Sequence, residues 1–171
     1  LMQSVILENT KNAVVNKKII EKRAGVKISF SGKRAVIEGD ELKAYLAAEM
    51  LKAIAAGFEI DDVLLLLDED YLLEVLPIKN VTKRKNLKEV RARVIGQEGR
   101  ALRNFQNLTD CRMVLHGNIV YIIGRAEDIS TASDSITSLI QGVKHSSVYS
   151  ILEKKHAKKT EIEDLGLKDK F

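Results

Sequence analysis

Gly96 and Gly99, three residues apart in Ile95-Gly96-Gln97-Glu98-Gly99-Arg100, are the residues whose types and spacing point most directly to chemistry. Arg91, Arg93, Arg100 and Arg103 flank them. A glycine pair between two helical segments lets the backbone run close to a nucleic-acid strand, because no Cβ stands in the way. The first amides of the helix that follows lack intrahelical partners, and its dipole favours an anion beside them. The four arginines would neutralise phosphates and make binding depend on salt. Single-stranded bases would lie in a groove between that helix and the strand containing Cys111, Arg112 and Met113, with Arg112 facing the groove. Only Phe105 is near as an aromatic, and it is expected in the core. Recognition should therefore rest on backbone clamping and base-edge contacts rather than on ring platforms. A bare GxxG carries little weight, and the plain alternative is an ordinary helix–turn–helix corner.

Other chemistries find less support. The single cysteine, Cys111, excludes an internal disulfide framework, is too few for a thiolate zinc site, and reads as a small buried residue. His116, His145 and His156 read as cap or surface residues. The carboxylates near the glycine loop are Glu89, Glu98 and Asp110, without metal-ligand spacing. No catalytic residue, metal or cofactor is expected. The longest aliphatic run, Val63 to Leu67, is far short of a membrane-spanning helix, and LMQSVILENT lacks the marks of a signal peptide. A soluble, cytoplasmic chain with no membrane contact is the expectation.

Charge chooses the same region. The net charge of +4 means little for 171 residues. Residues 1–82 hold 11 Lys+Arg against 13 Asp+Glu, a net of −2; residues 83–171 hold 17 against 11, a net of +6. Residues 83–103 alone hold eight basic and two acidic side chains, which equals that whole excess. Its direct approach to the loop favours RNA contact over a solvated helix face.

The elements that must position the loop emerge from an internal repeat. An offset of 85 aligns Gly32 with Gly117, Gly39 with Gly124, Gly57 with Gly142, Ile37 with Ile122, Val63 with Val148 and Leu67 with Leu152. These shared glycines read as turns and helix ends. Gly96 and Gly99 fall instead on Lys11 and Val14, so the pair peculiar to one copy is the functional one. Leu102, Phe105 and Leu108 predict one apolar helix face. CRMVLH and IVYIIG around Gly117-Asn118 predict a hairpin, and AEDISTASDSITSLIQG a helix ending at Gly142. VKISFSGKRAVIEG and ELKAYLAAEMLKAIAAG repeat that order. Helical segments DDVLLLLDEDYLLEVL and SSVYSILEKKHAKK follow, the latter capped by Ser146 or Ser147. A strand at Leu73–Val81, with Pro77 marking an edge or an interruption, opens the second copy. The expected fold is α+β, each small sheet covered on one face by helices. The expected division is 1–67, 68–152 and a charged helix end or fraying tail at 153–171.

In this order, IGQEGR after a basic helix, then a helix, a hairpin and a long helix, resembles a type I KH domain. GFEIDDVLLLL, RVIGQEGRALRNFQNLTDC and the His145, Val148, Tyr149, Leu152 pattern extend the likeness over nearly the whole chain. Together they resemble the archaeal tandem-KH factors of small-ribosomal-subunit assembly, relatives of the eukaryotic "partner of Nob". The resemblance implies two three-stranded antiparallel sheets packed by helices, the first KH degenerate and without the loop. It implies binding of single-stranded RNA near the 3′ end of small-subunit rRNA through Gly96, Gln97, Glu98 and Gly99, with Arg100 beside them. It further implies partnership with the endonuclease that matures that end, and contact with the α subunit of translation initiation factor 2. Glu98 departs from the pattern, placing a negative charge where many KH loops are neutral or basic. The alternatives are a KH-fold scaffold for protein contacts without RNA function, and an RNA-processing enzyme.

Overall fold

The structure, a computed structural model, describes residues 1–166. Its first unit runs β1 (Met2–Ile6), α1 (Lys11–Ala24), β2 (Lys27–Ser31), β3 (Arg34–Glu38), α2 (Glu41–Ala56) and α3 (Ile60–Leu64), which tightens into a 3-10 turn at Leu65–Leu67. The second runs β4 (Tyr71–Pro77), α4 (Leu87–Ile95), α5 (Arg100–Thr109), β5 (Arg112–His116), β6 (Ile119–Arg125), α6 (Ala126–Ile140) and α7 (His145–Asp164). The sheets are ordered β1-β3-β2 and β4-β6-β5, antiparallel throughout. This is the expected α+β pair of KH-like units.

The repeat extends to single atoms. Glu21 Oε1 on α1 accepts from the Ile28 amide at 2.8 Å, and 85 residues later Gln106 Oε1 on α5 accepts from the Met113 amide at 3.0 Å. In each unit this bond ties the helix to the edge strand of the hairpin. Gly32 and Gly117 turn the two hairpins at φ 60° and 58°. Gly39 and Gly124, read from sequence as turn residues, have no positive φ and serve packing instead. A Cβ on Gly39 would lie 2.9 Å from Val26 Cγ1, and one on Gly124 would lie 2.5 Å from Cys111 Sγ. Val26 and Cys111 are themselves 85 apart. Gly124→Ala should therefore destabilise by about 1–3 kcal/mol through overpacking. Adding Cys111→Ala should recover part of that loss, because the clash is with sulfur; denaturant melts of the four proteins of this cycle measure the coupling.

The units differ between first strand and first helix. Met2 pairs with Glu38 as Leu73 pairs with Ile123. Glu38 and Ile123 are 85 apart but Met2 and Leu73 only 71, so the first unit is fourteen residues shorter there. It has neither α4 nor a glycine loop, and β1 leads almost directly into α1.

Both faces of the second sheet are buried, where one was expected. Val120 and Ile122 point to the core under α4–α6, while Ile123, with Tyr71, Leu73, Val114 and Tyr121, packs into the core of the first unit. That explains why β6 is continuously apolar whereas β3, solvated on its outer face, alternates. α2 lies between the two sheets, which accounts for its alanines: Ala44, Ala47, Ala48, Ala53 and Ala56 are all buried and let backbones approach closely. Fully burying Ile123 stabilises the joint by about 1.5–3 kcal/mol. The Arg112–Asp62 ion pair across the same joint is half exposed and contributes at most about 1 kcal/mol. Apolar packing holds the units together.

Several boundaries differ from the sequence reading. The helix expected through DDVLLLLDEDYLLEVL stops at Leu67, and the strand begins at Tyr71 and ends at Pro77 on the sheet edge. In α5 the fully buried face is Ala101, Phe105 and Thr109; Leu102 and Leu108 are half-buried. Lys144, not a serine, precedes α7. The segment expected to fray continues α7 to Asp164, and Lys159 Nζ pins it to Asp110 Oδ2 at 2.8 Å and Asp128 Oδ1 at 2.9 Å. Desolvation alone would lower the Lys159 pKa, but hydrogen bonds to both carboxylates raise it. The remainder of the expected tail, 167–171, lies outside the described residues.

Candidate nucleic-acid interface

α4 starts under the Asn86 side chain, which accepts from the Glu89 amide at 3.3 Å, and ends when Gly96 bonds back to the Ala92 carbonyl at 2.9 Å. At φ 74°, ψ 174° Gly96 occupies a region open essentially to glycine alone. A Cβ there would sit 2.5 Å from Ala101 Cβ and 2.7 Å from Ala101 N. Gly96 is thus what allows the loop to fold against the first turn of α5. Glu98 and Gly99 follow with left-handed φ of 54° and 72°, and Arg100 begins α5.

No side chain caps α5 at Gly99. The positive end of its dipole lies at this corner, where a negative charge is favoured. Gln97, Glu98, Arg100 and Arg103 are exposed around it. Arg103 is close enough that a Cβ on Gly99 would lie 3.3 Å from its Nη1. The structure thus gathers Gly96, Gln97, Glu98, Gly99, Arg100 and Arg103 at one corner.

The other three arginines are placed differently. Arg93 is engaged within the protein: its Nε donates to the Leu139 carbonyl at 3.0 Å and its Nη2 to the Val143 carbonyl, closing the C-terminus of α6. His145 Nε2 lies 3.0 Å from the Arg93 carbonyl on the same seam. Two residues away, Arg91 points to another side of α4, half-buried, with its Nε out of solvent and unpartnered among the described residues. Arg112 is exposed on the edge strand β5 and pairs with Asp62 of the first unit at 3.2 Å. Charge in the sequence could not separate these roles, because a helix distributes successive arginines around its axis.

Gln106 was missed by sequence reasoning. It ties α5 to β5, the two elements expected to flank the groove. The available signal was its alignment with Glu21 in the repeat. Cys111, beside the groove, is 1% exposed; burial pushes its thiol up to about 11, and it donates to the Thr109 carbonyl at 3.4 Å. It is a neutral packing residue. Among the described residues no group of three His, Cys, Asp or Glu side chains could hold a metal ion, and no helix is long and apolar enough to cross a membrane.

The family model for the second KH domain of PNO1, described as eukaryotic-type KH domain (KH-domain type I), matches residues 72–157. The chain belongs to the type I KH family. This KH protein is 32% identical over 149 residues to the KH domain-containing protein MJ0443 of Methanocaldococcus jannaschii, covering 83% of the chain and 66% of that protein. It is 35% identical over 111 residues to the pre-rRNA-processing protein PNO1 of Chaetomium thermophilum, covering 63% and 43%. Among solved structures, a complex of a/eIF2alpha, aDim2p and rRNA from Pyrococcus horikoshii contains a chain that matches with a TM-score of 0.83 and 27% identity, over 92% of this chain and 95% of that one. The chain spans about two thirds of the archaeal relative and less than half of the fungal one.

Proposed function

We propose that this chain is a non-catalytic, cytoplasmic RNA-binding factor of small-subunit rRNA processing and assembly. It holds single-stranded RNA near the 3′ end of that rRNA at the Gly96–Gly99 loop, with Arg100 and Arg103 neutralising phosphates. The loop carries this reading: a helix start opened by two glycines and flanked by exposed arginines that have no ion pair among the described residues occurs in the second unit, and the first unit has no such loop. The names of its relatives, a pre-rRNA-processing protein and a protein solved with rRNA and eIF2alpha, support the RNA target and an α-subunit partner. The 3′-end endonuclease is the further partner expected from the likeness. The division proposed is a supporting unit, 1–67, an RNA-holding unit, 68–152, and the rest of α7 with the charged C-terminus, 153–171.

The test compares binding of a small-subunit rRNA 3′-end fragment and a scrambled strand across a salt series. Wild type should prefer the rRNA fragment. Arg100→Gln/Arg103→Gln should reduce the slope of log K against log salt by about 1.4, from roughly 0.7 per phosphate contact in a single strand. Equal slopes would remove these arginines from the interface. Indifference between the strands would remove the rRNA target.

A further inference from the structure

The basic run 83–103, continuous in sequence, is divided in space by α4. Arg100 and Arg103 stand at its C-terminal end beside the glycine loop, whereas Lys83, Arg84 and Lys85 precede its N-terminal end. Nine residues of helix separate the two groups by about 12 Å. At the far end, Lys79, Lys83 and Arg84, with Gln141 from the end of α6, line an open groove of about 870 Å³. Arg84 reaches over Gly142, where a Cβ would meet its Nη2 at 3.1 Å.

Among the described residues, none of Lys79, Lys83, Arg84, Lys85 and Lys88 lies within ion-pair distance of a carboxylate. All five are exposed; the nearest acid in sequence, Glu89, takes part through its amide in the Asn86 cap. Cations that stability required would be expected to have carboxylate neighbours, as Lys159 does. This cluster instead keeps its charge available.

A path connects it to the loop. Lys88, Ala92 and Gly96 succeed one another at four-residue spacing, so they form one row along α4. Lys88 and Ala92 are exposed, and Ala92 presents only a methyl group between the lysine and the glycine. A strand leaving the loop along this row meets no acidic or bulky side chain of the row before reaching Lys88.

We propose that Lys83, Arg84, Lys85 and Lys88 form a second RNA contact, a sequence-independent one to backbone phosphates, which continues the strand held at the glycine loop along α4. The proposal rests on the reading of that loop as an RNA clamp and adds a second site to it. A KH loop clamps four nucleotides, so the added contact engages only a longer strand.

The test uses the full chain as wild type, Lys83→Gln/Arg84→Gln/Lys85→Gln and Gly99→Asp. The probes are a single-stranded RNA of four nucleotides and one of about twelve containing it. Thermal melting checks folding, which the exposed triple substitution should leave within about 0.5 kcal/mol and Gly99→Asp within about 1 kcal/mol. On the long strand the triple variant should bind about tenfold more weakly at low salt, with a slope of log K against log salt reduced by about 2. On the short strand it should match wild type. Coincident slopes on the long strand, with Gly99→Asp still impaired, would overturn the second contact and leave the clamp standing. Equal losses on both strands would place the cluster within the clamp and overturn the continuation. Wild-type binding of the short strand by Gly99→Asp would overturn the clamp itself.

Discussion

Gly99→Asp is expected to weaken single-stranded RNA binding about a hundredfold while leaving the protein folded. At φ 72° the residue is left-handed, a conformation that aspartate tolerates better than most side chains. Its Cβ would come within 3.3 Å of Arg103 Nη1, the far end of a flexible side chain that can move aside. The structural cost should be about 1 kcal/mol. The new carboxylate would stand beside Arg103 and the uncapped start of α5, in the position proposed for a phosphate. Loss of charge-assisted hydrogen bonds there, at about 1.5–3 kcal/mol, corresponds at its upper end to roughly two decades of affinity. Fluorescence anisotropy with a labelled rRNA 3′-end strand, alongside a urea melt, gives both numbers. Wild-type affinity in a folded variant would remove the loop from the interface.

Gly96→Ala should do its damage to the fold. One added carbon meets Ala101 Cβ at 2.5 Å and the Ala101 backbone nitrogen at 2.7 Å, and neither belongs to a side chain that can swing away. Overpacking of about 1–3 kcal/mol adds to a penalty of about 1–3 kcal/mol for a backbone region open essentially to glycine alone. A loss of about 3 kcal/mol or more is a large part of the 5–15 kcal/mol typical of a whole domain. Gly117→Ala is the control: its φ is 58°, nothing lies within 4 Å, and the conformational penalty alone applies. Urea midpoints should separate the two, and equal midpoints would refute the steric argument. Two glycines three residues apart thus have different tasks. Gly96 builds the corner and Gly99 keeps it open, so changing both together would confuse binding with folding.

Much of this was legible in the sequence because it was written twice. The offset of 85 located both hairpins, both long helices and the copy that carries the loop. It hid equally specific features that require atoms to see. Gly39 and Gly124 looked like turn residues because glycine is usually that, but they make room for Val26 and Cys111. Arg93 lies in a basic run, but its reach from α4 to the Leu139 carbonyl on α6 depends on side-chain direction, which the run does not reveal. The strand at Tyr71 was obscured because five aliphatic residues from Val63 precede a short acidic turn, a pattern that suits helix and strand equally. One misreading could have been avoided: the unbroken apolar run in β6 already indicated a sheet covered on both sides.

The shared joint between the units has a consequence for the order of their making. Chain growth delivers α2 and α3 early, but Ile123, which completes the core they border, follows Leu67 by 56 residues. At typical synthesis rates that interval is roughly 3–11 s. Through it the N-terminal unit presents the side of α2 and α3 that later receives the second sheet, still without the cover that Tyr71, Leu73, Tyr121 and Ile123 provide. The unit made first therefore cannot close its core from its own residues, and its completion waits on the hairpin of the second.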